Sequence, residues 1–367
     1  MLFEKLSGKR VLLTGHTGFK GSWLSMWLNQ LGCKVAGYSL LPETTPNLFT
    51  LANVQDMVSH HVAEIEDFDS LLKLFSEFQP EVVFHLAAQP LVRRSYRTPR
   101  ETFFTNVGGT INVMEAIRQT SSVEAAVIVT TDKVYENREW LWGYRENEAL
   151  GGHDPYSASK GACEIVVSSY IRSFFSSTSA GNPAVASVRA GNVIGGGDFS
   201  EDRIIPDAVR AVLNSEPLQV RSPDATRPWQ HVLEPLGAYL LLACKLLEAP
   251  HFSGAWNIGP FGHDVATVKE IVEHFYESFG SGTLEYPSVD SQKGVHEARL
   301  LALCCDKART ELEWQPQYLS RDAISLTSTW YHDVLVKNKD AQKCCVQQIS
   351  HYSGLLEQFY NGSNSTR

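Results

Sequence analysis

Strand-like and helical segments alternate through the first 190 residues, and this alternation constrains the fold more than any other feature. Apolar runs that predict strands cover residues 10–14, 34–38, 57–62, 82–87, 125–130 and 184–188. Helical patterns lie between them at 22–31, 67–78, 99–120 and 156–175. Continuous apolar strands separated by helices are typical of a parallel sheet that is covered on both faces. We therefore predict a doubly wound α/β fold for this part of the chain.

The second half of the chain is less regular. Helices are expected at about 204–214, 233–248, 267–280 and 320–335, joined by loops rich in Pro and Gly. A single core rarely grows beyond about 250 to 300 residues. The 367 residues are therefore expected to form a sheet domain over 1–190 and a smaller lobe over 191–335 that is partly interleaved with the sheet. Residues 336–367 turn polar and are expected to form a C-terminal tail whose last residues are frayed or disordered.

Composition argues against several classes of protein. A net charge of −9 does not suit a nucleic-acid scaffold or a polybasic membrane binder. No apolar run approaches the ~18 residues of a membrane span, and the N-terminus lacks an apolar segment of signal-peptide length. We therefore expect a cytoplasmic protein. The seven cysteines form no CxxC motif, and the histidines show no metal-ligand spacing, so structural thiols and no metal site are predicted.

A glycine-rich segment, TGHTGFKG, follows the first strand and opens the first helix. Its GxxGxxG spacing allows a tight turn, a close approach of the backbone to a pyrophosphate, and close packing of helix on strand. The pattern predicts a Rossmann-type dinucleotide-binding loop, although a tight turn without a ligand is the alternative. The candidate cofactor-binding residues of this loop are Gly15, His16, Thr17, Gly18, Phe19, Lys20 and Gly21.

The end of the second strand bears on the choice of cofactor. NAD-binding proteins usually carry an acidic residue there, but this strand ends in Ser39. No arginine stands nearby to receive the 2′-phosphate of NADP, so NAD is predicted. Glu64 and Ile65, after the third strand, could contact the adenine or lie in a solvated loop. Gln89, after the fourth strand, could lie near the cofactor ribose or the sugar, or be an ordinary loop amide.

Two further motifs predict proton-transfer chemistry. The fifth strand runs into Thr131, Asp132 and Lys133, and a later helix begins YSASK, with Tyr156 and Lys160 on one face. A tyrosine alone, with a pKa near 10, is a poor base, but a neighbouring ammonium could lower that value toward neutrality. Such a pair can take a proton from an alcohol while a nicotinamide takes the hydride. A plain surface turn is the alternative for the strand end.

Taken together, these segments resemble the extended short-chain dehydrogenase/reductase family, whose members act on nucleotide-linked sugars, and most of all its CDP-glucose 4,6-dehydratase branch. The resemblance covers about residues 8 to 335. It rests on TGHTGFKG, FHLAAQ, NVGGTINVMEA, TTDKVY, YSASK, RAGNVIGGGD and RPWQHV. It implies NAD as cofactor, with Ala87, Ala88 and Asn106 among its contacts. It also implies a homodimer formed by the helices near 99–120 and 156–176.

The resemblance also implies roles in catalysis. Thr131 would assist Tyr156, and Asp132 would act as the acid. Many dehydratases of the family carry Glu at the position of Lys133, so Lys133 is the candidate base for the sugar C5 proton, unless it merely pairs with Asp132 or a phosphate. The Asp132–Lys133 pair is what an elimination requires beyond an epimerase. A nucleotide-sugar 4-epimerase, a dehydratase for another nucleotide sugar and a catalytically idle dinucleotide-binding regulator remain the alternatives.

The substrate pocket is expected after the sixth strand. Asn192 lies where the family binds the sugar diphosphate. Guanidinium groups suit phosphate oxygens, so Arg203, Arg227 and Arg299 are the candidate phosphate ligands. Ordinary surface ion pairs are the alternative for these three arginines.

Overall fold

The computed structural model describes residues 2–175, 181–220, 222–286 and 300–364. Its strands are β1 (Arg10–Thr14), β2 (Lys34–Ser39), β3 (Ser59–Val62), β4 (Val82–His85), β5 (Ala125–Val129), β6 (Ala184–Ala190), β7 (Val193–Ile194), β8 (Leu218–Gln219), β9 (Thr226–Arg227), β10 (Gln230–His231), β11 (Gly254–Ile258), β12 (Ala266–Thr267) and β13 (Leu284–Glu285). Seven of them form one parallel sheet in the order β11-β6-β5-β4-β1-β2-β3. The prediction of a doubly wound fold is confirmed.

Helices lie between the strands and cover both faces of this sheet. They are α1 (Phe19–Gln30), α2 (Leu48–Leu51), α3 (Phe68–Phe78), α4 (Val92–Arg97), α5 (Pro99–Phe103), α6 (Gly109–Gln119), α7 (Pro155–Phe174), α8 (Ile204–Leu213), α9 (Leu233–Glu248), α10 (Val268–Phe279), α11 (Asp306–Glu311), α12 (Ser320–Tyr331) and α13 (Ala341–Asn364). One apolar cluster joins α1, α9 and α13 to one face, and a second joins α3, α6 and α7 to the other. Residues of β5 alternate between the two clusters, so the whole strand is buried.

The second half of the chain contributes to the central sheet. Strand β11 pairs with β6 at the sheet edge, and α9 packs on β5 and β6. The remaining short strands form two-stranded pairs, β10 with β7, β12 with β9 and β13 with β8. Among the described helices, none is both long and apolar enough to cross a lipid bilayer.

Two parts of the chain differ from the expectation. The single helix expected at 99–120 is α5 and α6 separated by a π-helical turn at Phe104–Gly108. The polar tail expected from 336 onward contains a long helix, because Ala341–Asn364 forms α13; residues 365–367, at the end that was expected to fray, lie outside the described residues. Its residues Cys345, Ile349 and Tyr352 are buried in the core, which accounts for the order of this segment.

Candidate active site

The carboxyl ends of the central strands open into a cleft of about 1620 Å³. This is where parallel α/β sheets bind ligands. The sequence-predicted residues that line it are Gly15, Thr17, Gly18, Phe19, Lys20, Gly21, Ser39, Glu64, Ile65, Ala87, Ala88, Gln89, Thr131, Asp132, Lys133, Tyr156, Lys160, Asn192, Arg203 and Arg227. Arg299 lies outside the described residues. The structure therefore brings most of the candidates to one site, and their individual roles remain predictions.

The glycine-rich loop has the geometry of a phosphate cradle. Gly15 has a φ of +75°, and a Cβ there would fall 2.7 Å from the backbone nitrogen of Ala87. A Cβ at Gly21 would collide with the carbonyl oxygen of Gly15. Both positions therefore require glycine, and α1 begins directly after Gly18, so its first N–H groups face the cleft.

The side chain of His16 departs from the prediction, because it points away from the cleft. It is fully buried, and its Nε2 lies 2.6 Å from Nδ1 of His60 on β3. Gly37 on β2 makes room for the ring, since a Cβ there would overlap it. Burial lowers the pKa of His16 to about 3, so the ring is neutral at ordinary pH. Its side chain therefore anchors the loop to the sheet.

Residues after the second and third strands close one end of the cleft. The hydroxyl of Ser39 lies 2.9 Å from that of Thr17, which also donates to the carbonyl oxygen of Leu40 at 2.8 Å. These contacts tie the end of β2 to the glycine-rich loop. The carbonyl of Glu64 accepts a hydrogen bond from Tyr38 at 3.0 Å, and Ile65 is buried.

Gln89 and Asn106 form a buried hydrogen-bonded pair behind the cleft. The Oδ1 of Asn106 accepts the backbone N–H of Gln89 at 2.8 Å, and its Nδ2 donates to Ser159 on α7 at 2.8 Å. The amide of Gln89 donates to Thr102 at 2.9 Å. Gln89 reaches the cleft but Asn106 does not, so Asn106 is placed to hold the loop after β4 rather than to touch a ligand.

The end of β5 presents a hydroxyl, a carboxylate and an amine in one short turn. Thr131 caps the 3₁₀ turn Asp132–Val134, and its hydroxyl donates to Oδ1 of Asp132 at 3.0 Å. The ammonium of Lys133 lies 3.3 Å from the same oxygen. Oδ2 of Asp132 is buried and has no hydrogen-bond partner among the described residues. A carboxylate oxygen left in this state is open to a ligand in the cleft.

Helix α7 places Tyr156 and Lys160 opposite this turn. The helix starts at Pro155, and Asp154 caps it by accepting the N–H of Ser157 at 2.9 Å. Burial raises the pKa of Tyr156 to about 12, while a hydrogen bond with Thr131 acts in the opposite direction. The ammonium of Lys160 donates to the carbonyl oxygen of Val129 at 3.1 Å. The expected drop in the pKa of Tyr156 toward neutrality is therefore not seen in this structure.

Several cations gather in the cleft. Burial and the charges of Arg203 and Lys160 lower the pKa of Lys20 to about 7. Arg203 is held by Asp198, whose Oδ2 accepts from its guanidinium at 2.8 Å. Asp198 also accepts the backbone N–H of Ser200. Asp198 was missed by sequence reasoning, although its place at the end of the GGGD segment offered a signal. Together these cations favour an anionic ligand.

The other substrate candidates lie on the far wall of the cleft. Asn192 accepts the backbone N–H of Gln230 at 3.0 Å through its carbonyl. Arg227 donates to the carbonyl of Thr226 at 2.8 Å. Among the described residues, no group of three or more His, Cys, Asp or Glu could hold a metal ion. The site thus combines a dinucleotide cradle, a proton-transfer group and an acid–amine pair beside a basic pocket.

Comparison with known proteins agrees with this geometry. Residues 12–327 match the model of the GDP-mannose 4,6 dehydratase family. The CDP-glucose 4,6-dehydratase of Salmonella typhimurium is 46% identical over 354 residues, which cover 94% of this chain and 96% of the relative. The dTDP-glucose 4,6-dehydratase of Xanthomonas campestris is 26% identical, over 87% of this chain and 92% of the relative.

Solved structures agree on the fold. A Bacillus anthracis dTDP-glucose 4,6-dehydratase in complex with NAD superposes with a TM-score of 0.73 at 23% identity, covering 89% of this chain and 97% of that one. A Thermus thermophilus UDP-glucose 4-epimerase in complex with NAD superposes with a TM-score of 0.74 at 25% identity, covering 88% and 98%. On the strength of the sequence matches, the chain belongs to the GDP-mannose 4,6 dehydratase family.

Proposed function

We propose that this chain is a CDP-glucose 4,6-dehydratase, a hydro-lyase that converts CDP-D-glucose to CDP-4-keto-6-deoxy-D-glucose and water. The observation that carries the proposal is its 46% identity, over 94% of the chain, with the Salmonella typhimurium enzyme of that name. The acid–amine pair at Asp132 and Lys133 supports it. An elimination needs these groups in addition to the tyrosine that suffices for an epimerase.

NAD is the proposed cofactor, and the glycine-rich loop fits it. A Cβ at Gly15 would collide with the backbone of Ala87, so the loop is shaped for close approach of a pyrophosphate. Ser39 supplies neither a carboxylate nor a cation at the ribose end, and it is bonded to Thr17. The residues proposed to hold NAD are the loop from Gly15 to Gly21, Ser39, Glu64, Ile65, Ala87, Ala88, Gln89, Tyr156 and Lys160. Bound there, NAD would accept a hydride from the sugar and return it.

The first proposed step is oxidation at C4. Tyr156 takes the proton of the C4 hydroxyl as the C4 hydride leaves, with Thr131 bonded to the phenol. The tyrosine must be a phenolate to do so, and positive charge around it favours that form. The charge of Arg203 lowers the pKa of the Tyr156 phenol and so favours the phenolate. The product of the step is a 4-keto sugar, whose C5 proton is acidified by the new carbonyl.

The second step is elimination of water across C5 and C6. For this step the proton of the Lys133–Asp132 pair must lie on Asp132, which leaves Lys133 as an uncharged amine; Lys133 then takes the C5 proton. Asp132 delivers a proton to the departing C6 hydroxyl, which leaves as water. Hydride return to C6 and proton return to C5 complete a reaction that is redox-neutral overall. The contact between Lys133 and Asp132 at 3.3 Å lets the acid and the base act within one site.

The nucleotide diphosphate is proposed to bind on the side of residues 191–335, which supply most of the substrate lobe. Asn192, Arg203 and Arg227 are its proposed ligands. Arg203 is fixed by its ion pair with Asp198. Its guanidinium can therefore bind a phosphate with little further loss of side-chain conformational entropy. Lys20, whose pKa is lowered to about 7 by burial and by the charges of Arg203 and Lys160, adds a partial positive charge at neutral pH.

The proposal is tested with a panel of CDP-, dTDP-, UDP- and GDP-glucose, followed at alkaline pH by the absorbance of a 4-keto-6-deoxy product. We expect CDP-glucose to be converted fastest, without net build-up of NADH, because the hydride returns to the product. A higher rate on another nucleotide would identify a different dehydratase. A C4 epimer formed without loss of water would identify an epimerase. NAD binding without turnover of any sugar would favour a regulator.

A homodimer is part of the proposal. Exposed apolar side chains occur on the helices that the resemblance assigns to the interface: Phe103, Phe104, Ile111, Ile165 and Phe174. Exposed apolar groups concentrated on one pair of helices are typical of a surface that another protein covers. We also propose a cytoplasmic location, which the seven free cysteines support, since unpaired thiols suit a reducing compartment.

A further inference from the structure

A buried ion pair lies behind the active site and is not used by the mechanism above. Glu164 on α7 and Arg189 on β6 approach to 2.7 Å, and both side chains are almost completely buried. Glu164 also accepts hydrogen bonds from Thr130 and, at 2.8 Å, from Ser187. Every oxygen of this carboxylate therefore has a donor. A charge so deep is retained only when it is paired and fully hydrogen-bonded.

Arg189 is also held by several contacts, although its buried Nε has no hydrogen-bond partner among the described residues. Its guanidinium donates to the hydroxyl of Tyr135 at 2.7 Å and to the carbonyl of Glu146 at 3.0 Å. It also lies over the ring of Tyr135, 4.9 Å from the centroid. Tyr135 in turn donates to Asn257 on β11 at 2.7 Å. The pair is thus locked in position by contacts with the sheet and with the loop that follows β5.

Glu164 stands one helical turn after Lys160, so the two side chains share a face of α7. Both side chains form hydrogen bonds at the end of β5. Lys160 donates to the carbonyl of Val129, and Glu164 accepts from the next residue, Thr130. The carboxylate is therefore placed beside the ammonium without forming a direct ion pair with it, which leaves the ammonium free to face the cleft.

The charge of Lys160 depends on its surroundings. Burial lowers its pKa, while the neighbouring Cys163 and Glu164 act in the opposite direction. Burial also raises the pKa of Cys163, so this residue stays an uncharged thiol at neutral pH. Glu164 is then the neighbour on its own helix that supplies a negative charge.

We propose that Glu164, held in place by Arg189, is a positioning residue that keeps Lys160 charged and aimed at the cleft during turnover. The catalytic importance of the charge on Lys160 rests on the proposed function. Lys160 must be an ammonium to favour the phenolate of Tyr156 and so the removal of the C4 hydroxyl proton. The electrostatic effect on Lys160 itself does not depend on which sugar is bound.

Other groups also face this lysine, and the experiment must hold them constant. Lys20 on α1 and His85 on β4 interact with the charge of Lys160, Cys163 and Glu164 on α7 act on its pKa, and Asp132, Lys133 and Tyr156 line the same cleft. Arg189 faces Glu164 from β6. His85 is neutral at ordinary pH, since burial lowers its pKa to about 3.

The test is Glu164→Gln, which removes the charge and keeps the shape. The pKa of Lys160 is measured from the ¹³Cε shift of labelled lysine, assigned with Lys160→Arg. We expect it to fall by about 1 unit or more, as for loss of one nearby opposite charge. The alkaline limb of the kcat profile should move to lower pH by the same amount. Ser187→Ala is the matched control, because it removes a hydrogen bond to the same carboxylate but no charge, and it should leave the pKa of Lys160 in place.

An unchanged pKa of Lys160 in folded Glu164→Gln protein would overturn the proposal and leave the ion pair a purely structural feature. Glu164→Gln strands the Arg189 charge and risks misfolding, whereas replacing both members of a buried pair is often tolerated. Glu164→Gln/Arg189→Met is therefore the second variant; because it also removes a positive charge, the pKa of Lys160 should fall in the same direction but by less than in Glu164→Gln. If wild-type protein fails to convert CDP-glucose, the proposed function fails, but the ¹³C titration still decides the role of Glu164.

Discussion

Tyr156 is the side chain on which the proposed chemistry depends most directly. It lies in the first turn of α7, buried against the end of β5, and its hydroxyl bonds to Thr131. Replacing it with Phe keeps the packing and removes the proton acceptor. We expect Tyr156→Phe to lower kcat ~100-fold or more, in line with general-base contributions. Binding of CDP-glucose, measured by calorimetry, should change little. An unaltered kcat would remove Tyr156 from the mechanism.

Lys133 offers a sharper test, because its proposed role belongs to the second half of the reaction. Lys133→Met should still permit oxidation at C4, so NADH absorbance should appear on the protein and persist. Exchange of solvent deuterium into C5 should fall sharply, as the base is gone. Lys133→Arg is the matched control: it keeps the positive charge beside Asp132 but does not readily lose a proton, so it should also block exchange. Normal exchange and elimination in Lys133→Met would assign the lysine a structural role.

Sequence patterns predicted the residues of the cleft better than their interactions. Glycine spacing and the YSASK motif identified positions that do meet in one cleft, because both depend on local geometry. The inward turn of the His16 ring was not predictable, since it depends on Gly37 and His60, which are distant in the chain. The pairing of Arg203 with Asp198 is local by comparison, only five residues apart in the chain, and it was missed although the GGGD segment offered a signal.

At the scale of elements, strands were the easiest to predict. The five residues of β5 are apolar throughout, as burial on both faces demands. The π-helical turn at Phe104–Gly108 was missed, because contacts of Asn106 with Gln89 and Ser159 accompany it and no local pattern reports them. Helix α13 was missed for another reason. Its polar composition hid the spacing of Cys345, Ile349, Tyr352 and Leu356, which is a helical repeat and could have found it.

Helix α13 is tied to the core through a buried carboxylate, and this predicts a pH effect on stability. Glu234 on α9 accepts from Tyr352 at 2.6 Å and from the backbone of Tyr318 at 2.7 Å. Burial raises its pKa to about 7 from an ordinary value of 4.5, against these hydrogen bonds. The folded state therefore binds this proton more tightly than the unfolded state does. Its contribution to stability is full below pH 4.5 and declines as the pH rises toward 7.

Glu234→Gln removes the titrating group and should flatten this dependence. A rise of the pKa of Glu234 from 4.5 to about 7 changes its contribution to the free energy of unfolding by roughly 3 kcal/mol between pH 4.5 and pH 7. We expect the free energy of unfolding of wild type, relative to that of Glu234→Gln, to fall by up to that amount between pH 5 and 8. Chemical denaturation at both values measures it. Glu248→Gln, at the exposed end of the same helix, is the control and should keep the wild-type slope. An equal slope in Glu234→Gln would contradict the prediction.

At the scale of the whole molecule, the arrangement of apolar surface predicts self-association. The cleft opens at the carboxyl edge of the sheet, while Phe104, Ile111 and Ile165 are exposed on the helices that cover one face. Ile165 is 61% exposed on α7, the helix that carries Tyr156. Covering this surface with a second copy would bury apolar groups and brace the catalytic helix at the same time.

Ile165→Glu should therefore convert a dimer into a monomer, because two carboxylates would have to be buried near the symmetry axis. Sedimentation velocity at micromolar concentration measures the change. Leu141→Glu is the matched control, since Leu141 is 91% exposed in the loop after β5 and belongs to neither of these helices, and its variant should remain dimeric. A wild-type protein that sediments as a monomer would contradict the proposed assembly. Because α7 also carries Lys160, we expect the Ile165→Glu monomer to lose thermal stability and kcat together.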